Sequence, residues 1–106
     1  MSKLSLAQTS TPAKILHKFV IEREIPNAGK LSSAELQGIA TQSCTTIDKM
    51  ADPVQWVQSY VTDNKVYCVY LAENEEAIKT HAKLAGFPAN KISEVKTIID
   101  PTSAKK

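Results

Sequence analysis

Apolar positions along this chain follow two rhythms, and the changes between them divide it into six segments. The first, KILHKFVIEREI over residues 14–25, has a β-branched and aromatic centre at Phe19, Val20 and Ile21. That composition packs well on a pleated surface and predicts a strand. Alternation at its end puts Ile21 and Arg23 on one face, and Val20, Glu22 and Glu24 on the other. PNAGK at 26–30 reads as a turn.

The rhythm then lengthens to that of a helix. Leu36, Ile39, Ala40, Ile47 and Met50 recur at roughly 3.6-residue spacing, with Cys44 at the edge of the stripe. Ser32-Ser33-Ala34-Glu35 fits a capping box: the Ser32 hydroxyl accepts from a free amide and Glu35 reaches back. Leu31 and Leu36 are placed to form the accompanying hydrophobic staple. Pro53 disfavours helix at Asp52, so the helix ends before it.

Two strands follow, VQWVQSYV (54–61) and KVYCVYLA (65–72), joined by Thr62-Asp63-Asn64 as a hairpin. With Asp63-Asn64 as a two-residue turn, Trp56, Gln58, Tyr60, Tyr67, Val69 and Leu71 share one face. Val57, Ser59, Val61, Val66, Cys68 and Tyr70 then share the other, and a three-residue turn would break that assignment. A second helix starts after the N-cap Asn74, with Glu75 and Glu76 favoured by the helix dipole. Its stripe is Ala77, Ile78, His81, Ala82, Leu84 and Ala85, and Gly86 and Pro88 stop it. ISEVKTIID, residues 92–100, predicts a last strand before Pro101.

The order strand, helix, strand, strand, helix, strand is that of an α+β, ferredoxin-like βαββαβ sandwich: a four-stranded antiparallel sheet with two helices on one face. Residues 15–101 are the expected domain, between a Ser/Thr-rich, disordered tail at 1–14 and a polar tail at 102–106. The central hairpin is apolar or aromatic on both faces, and two short helices cover only one. A homodimer through the open sheet face is therefore expected.

Composition narrows the function. Four of the thirteen Lys/Arg residues, Lys3, Lys14, Lys105 and Lys106, sit in the tails, leaving nine against eleven Asp/Glu between residues 15 and 104. No basic stripe remains, and nucleic acid is disfavoured as a partner. No apolar run approaches the ~18 residues of a membrane span, and the N-terminal stretch lacks the apolar core of a secretory signal. Cys44 and Cys68 belong to no CxxC pair, which fits reduced thiols in the cytoplasm.

Few residues carry chemistry. His81 falls at the centre of its helix stripe among alanines. It reads either as a core histidine bonded to a carbonyl, or as a metal ligand or polar contact in a cleft between sheet and second helix. Cys68 reads as a packed small hydrophobe or as a thiolate ligand. Glu22 and Glu24 share a face roughly 7 Å apart, as a solvated strand end or a cation site. Trp56, Gln58, Tyr60, Tyr67 and Phe87 suit a ligand cleft or a dimer face. HExxH, P-loop, GxGxxG and GxSxG motifs are absent, and no catalytic Ser/His/Asp set is legible. The reading is a binding protein rather than an enzyme, with no catalytic residue assigned.

The runs E-R-E (22–24), Q-W-V-x-S-Y-V-T (55–62), Y-C-V-Y (67–70) and H-A-K-x-x-G-F-P-A (81–89) together resemble a family of small bacterial ferredoxin-like proteins. The family is grouped as a domain of unknown function, and some members are named nickel-binding proteins. The resemblance spans residues 19–101. It implies a ferredoxin-like dimer, with Ni²⁺ or another divalent metal as the ligand named for part of the family, and His81, Glu22 and Cys68 match its runs. The leading reading is then a small cytoplasmic dimer that binds the metal for sequestration, with His81, Glu22 and Cys68 as ligand candidates. The family's frequent Q-W-V-H-S-Y run has a histidine where this chain has Gln58, whose carbonyl oxygen is a poorer nickel ligand. Two alternatives stand beside this: a small-molecule binder or enzyme with a cleft around His81, and a purely structural dimer.

Overall fold

Strand β1 (His17–Glu24) is the one around which the sheet assembles, pairing antiparallel with β3 (Lys65–Ala72) on one side and β4 (Lys91–Glu94) on the other. With β2 (Val54–Val61) at the far edge, the order is β2-β3-β1-β4. Helix α1 (Ser33–Lys49) links β1 to β2, and α2 (Glu75–Ala85) links β3 to β4. This is the ferredoxin-like arrangement. The computed structural model describes residues 14–104. The expected N-terminal tail, apart from Lys14, and the last two residues lie outside them.

Each helix begins where its capping residue predicts. The Ser32 hydroxyl accepts from the Glu35 amide at 3.1 Å while the Glu35 carboxylate accepts from the Ser32 amide at 2.8 Å. The Asn74 side chain accepts from the Ala77 amide at 2.9 Å. Gly86 closes α2 in the left-handed region at φ 79°. Its amide donates to Lys83 O, and the Phe87 amide donates to Ala82 O, satisfying two carbonyls of the last turn.

Alternation along β1 decides the faces. Phe19, Ile21 and Arg23 are buried beneath the helices, while Val20 and Glu22 are half-buried on the open face. Phe19 and Ile21 join Val54, Cys68, Tyr70, Ala77 and Ile78 in one core. Ile21 is fully buried, so Ile21→Ala would cost about 2–5 kcal/mol.

Three expectations need correction. First, Asp63-Asn64 is a two-residue turn, with Val61 opposite Val66 and Thr62 bonded to Lys65, yet Trp56 does not share a face with Gln58 and Tyr60. The register slips between Trp56 and Gln58, so Val57 is an extra residue and Trp56 pairs with Tyr70. Second, β4 is four residues long. Ile92 to Glu94 pair with β1 down to Phe19, and one more bond runs from the Val95 amide to Lys18 O. β1 begins at His17, so residues 96–100 have almost no partner to extend along, and Ile98 and Ile99 stay exposed. Third, Leu84 is 60% exposed and leaves the α2 stripe, while Ser43 and Thr46, not Leu36 or Ile39, are the buried residues of α1. Leu36, Ile39 and Ala40 of the α1 stripe border a cleft, while Ile47 and Met50 further along pack against the core.

Candidate functional site

That cleft, of about 540 Å³, has α1 on one side and the sheet on the other. Leu36, Ile39 and Ala40 of α1 face Trp56, Val66 and Tyr70 of the sheet across it. Gly86, Phe87 and Pro88, just past the end of α2, complete the wall. The bulge at Val57 is what brings Trp56 here. Its ring stacks on Tyr70 with centroids 6.3 Å apart, and its indole N–H donates to the Ser59 hydroxyl at 2.9 Å.

Two buried polar groups stand at this wall. Arg23 is 2% exposed. Its Nε donates to Cys68 Sγ at 3.3 Å and its Nη1 to Pro88 O at 2.6 Å. The guanidinium carbon lies 5.9 Å from the Tyr70 ring centroid and 5.3 Å from that of Phe87, within cation–π range. Nη2 is buried and has no hydrogen-bond partner. Ser43 is the second group. Its hydroxyl lies 2.9 Å from the Tyr70 hydroxyl and 3.3 Å from His81 Nε2. Burial pushes the Tyr70 phenol above its ordinary range, against the opposing hydrogen bond from Ser43.

His81 is 1% exposed and lies behind Ser43 and Tyr70, not on the cleft wall. Its Nε2 also lies 3.4 Å from the Ser43 carbonyl, which can only accept, so a neutral ring protonated on Nε2 satisfies the contact. Burial holds His81 below its ordinary pKa, the Ser43 carbonyl opposing and the nearby Arg23 charge assisting. The cleft thus lies against α1 and the end of α2, displaced from the expected position around His81.

The three candidate metal ligands do not converge. Glu22 pairs with Tyr67 across the β1–β3 ladder and Cys68 with Ile21, so Glu22 and Cys68 project to opposite faces. On the open face the Glu22 carboxylate takes a 2.8 Å hydrogen bond from Lys65 Nζ, which holds its pKa below the usual range. The Cys68 thiol accepts from a guanidinium whose positive charge would repel a second cation, and the His81 nitrogen is engaged by Ser43. Among the described residues no group of three or more His, Cys, Asp or Glu is placed to hold a metal ion. The residues of a single chain therefore do not fit a nickel centre built from His81, Glu22 and Cys68.

The five cleft or dimer-face candidates divide as well. Trp56 and Phe87 line the cleft. Gln58, Tyr60 and Tyr67 lie on the open sheet face beside Val20, Val69 and Leu71, with Gln58 donating to the Tyr60 hydroxyl. Sequence reasoning missed Arg23 and Ser43 as site residues. The signal for Arg23 was its place on the Ile21 face of β1; Ser43 offered none, because a serine in a helix ordinarily reads as exposed.

Fold and site together define a small α+β domain with an apolar cleft and a buried cation in its wall. A family model described as "Nickel responsive protein SCO4226-like" matches residues 19–95, and the chain belongs to that family. The crystal structure of SCO4226 from Streptomyces coelicolor A3(2) is similar in fold, with a TM-score of 0.67 at 18% identity. The match covers 77% of this chain and 99% of that one. No curated protein sequence matches the chain. No helix among the described residues is long and apolar enough to cross a membrane.

Proposed function

We propose that this chain is a small-molecule-binding protein without catalytic turnover, its ligand held in the cleft between α1 and the sheet. The observation that carries this reading is the cleft itself: about 540 Å³, within the size range of small-molecule sites, walled by Trp56, Phe87 and aliphatic side chains. Ala40 lies on the α1 side, where a larger side chain would fill the space. Ligand-observed NMR with a panel of small apolar molecules, comparing the wild type with Ala40→Phe, tests it. Binding lost in a folded Ala40→Phe supports the reading, and equal binding in both contradicts it.

The family's nickel-responsive description supports a second reading, binding of Ni²⁺ or another divalent metal; to it we add the proposal that the protein does so as a homodimer and sequesters the metal. Glu22 is the one candidate ligand that reaches the open sheet face, so two copies meeting there would each bring a carboxylate. Titration with Ni²⁺, comparing the wild type with Glu22→Gln and His81→Ala, separates the possibilities. This reading expects Glu22→Gln to weaken binding and His81→Ala to leave it unchanged. Equal binding by the wild type and Glu22→Gln removes Glu22 from the site.

A further inference from the structure

We infer that the cleft takes a small, largely apolar monocarboxylate whose carboxylate is held by Arg23; this rests on the cleft being the ligand site. Arg23 is a buried cation with no acidic partner: none of the ion pairs among the described residues includes it. Its neighbours are a thiol, a backbone carbonyl, two aromatic rings and the Tyr70 hydroxyl, all neutral. A buried charge left in that state is costly, and a buried guanidinium donor without an acceptor adds to the cost. Nη2 is that donor.

The chemistry of the wall selects the class. A guanidinium offers a planar fork that suits a carboxylate. The charged residues of the wall are Arg23 and Glu24, and Glu24 is exposed. One buried positive charge balances one negative charge, so a dianion would bring a second charge with nothing to meet it. A cationic ligand would be repelled. The remainder of the wall is mostly aliphatic and aromatic, and accepts an apolar body, with Trp56, Tyr70 and Phe87 as ring surfaces. Nη2 is buried, so a carboxylate reaches it only by displacing a neighbouring side chain; the half-buried Phe87, its ring centroid 5.3 Å from the guanidinium carbon, is one such neighbour.

Trp56 is the chain's sole tryptophan and lies in the wall, so its fluorescence reports occupancy. The test titrates the wild type and Arg23→Met with phenylbutanoate and with the neutral phenylbutanamide of nearly the same shape. The expected result is acid binding about tenfold or more tighter than amide in the wild type, the gain of a charge-assisted hydrogen bond. Arg23→Met should abolish that preference. Equal affinity for acid and amide overturns the carboxylate assignment while leaving the cleft as an apolar site. Failure of the acid to bind also overturns it, and the Ala40→Phe comparison then decides separately whether the cleft binds anything. If Arg23→Met does not fold, the acid–amide comparison in the wild type decides alone.

Discussion

His81 on α2 is held by Ser43 on α1, with Nε2 3.3 Å from the serine hydroxyl. The same hydroxyl lies 2.9 Å from the Tyr70 hydroxyl on β3, so one oxygen ties both helices to the sheet. Ser43→Ala removes it and leaves the buried Tyr70 hydroxyl short of a partner, while His81 Nε2 keeps the Ser43 carbonyl. The expected loss is about 1–3 kcal/mol by urea denaturation. Cys44→Ala, at the neighbouring exposed position, should stay within about 0.5 kcal/mol.

The burial of His81 makes stability depend on pH. Burial holds the His81 pKa in the folded chain below its ordinary 6.5. Between those two values the unfolded chain binds more protons than the folded one, so stability falls as pH drops through about 6.5. Above that pH His81 contributes no slope. His81→Gln removes this titration. The fall in melting temperature between pH 7 and about 5 should therefore be shallower in His81→Gln than in the wild type.

Most of the fold was legible because caps and periods are local. Ser32, Glu35, Asn74 and Gly86 each act within a few residues of themselves, and their contacts appear where the sequence places them. The site was less legible because its geometry depends on distant partners. Trp56 reaches the cleft through one extra residue in β2, and period-two alternation carries no mark of a bulge. β4 is short because its partner strand runs out, which no residue between 95 and 100 announces. Glu22 and Cys68 fall within recognisable runs, but only the β1–β3 register shows that they face opposite ways. His81 was placed correctly on the inner face of its helix, whereas the serine that bonds it lies 38 residues away in the chain.

Arg23 offers a contrast between two substitutions. Arg23→Met replaces an uncompensated buried cation with an apolar chain of similar length and should be neutral or stabilising. Arg23→Ala removes the side chain that bridges Cys68 and Pro88 and leaves a void, with an expected loss of about 2–5 kcal/mol. Chemical denaturation of both variants gives the comparison. A strongly destabilised Arg23→Met would mean that the guanidinium is a structural strut first.

The open sheet face bears on assembly. Val20, Val69 and Leu71 form a half-buried apolar stripe there with Tyr60 and Tyr67. If two copies meet through this face, Val69→Lys should shift the protein from dimer to monomer in light scattering while circular dichroism stays unchanged. A wild type that is already monomeric at the same concentration would mean that this face makes no dimer.

Whether a ligand enters between α1 and the sheet is read from nuclear Overhauser contacts between phenylbutanoate and the protein. A ligand in the cleft gives contacts from the phenyl ring to Trp56, Ala40 and Phe87, with a shift of the Trp56 indole N–H that donates to Ser59. Contacts confined to Val20, Val69 and Leu71 on the open sheet face would contradict it.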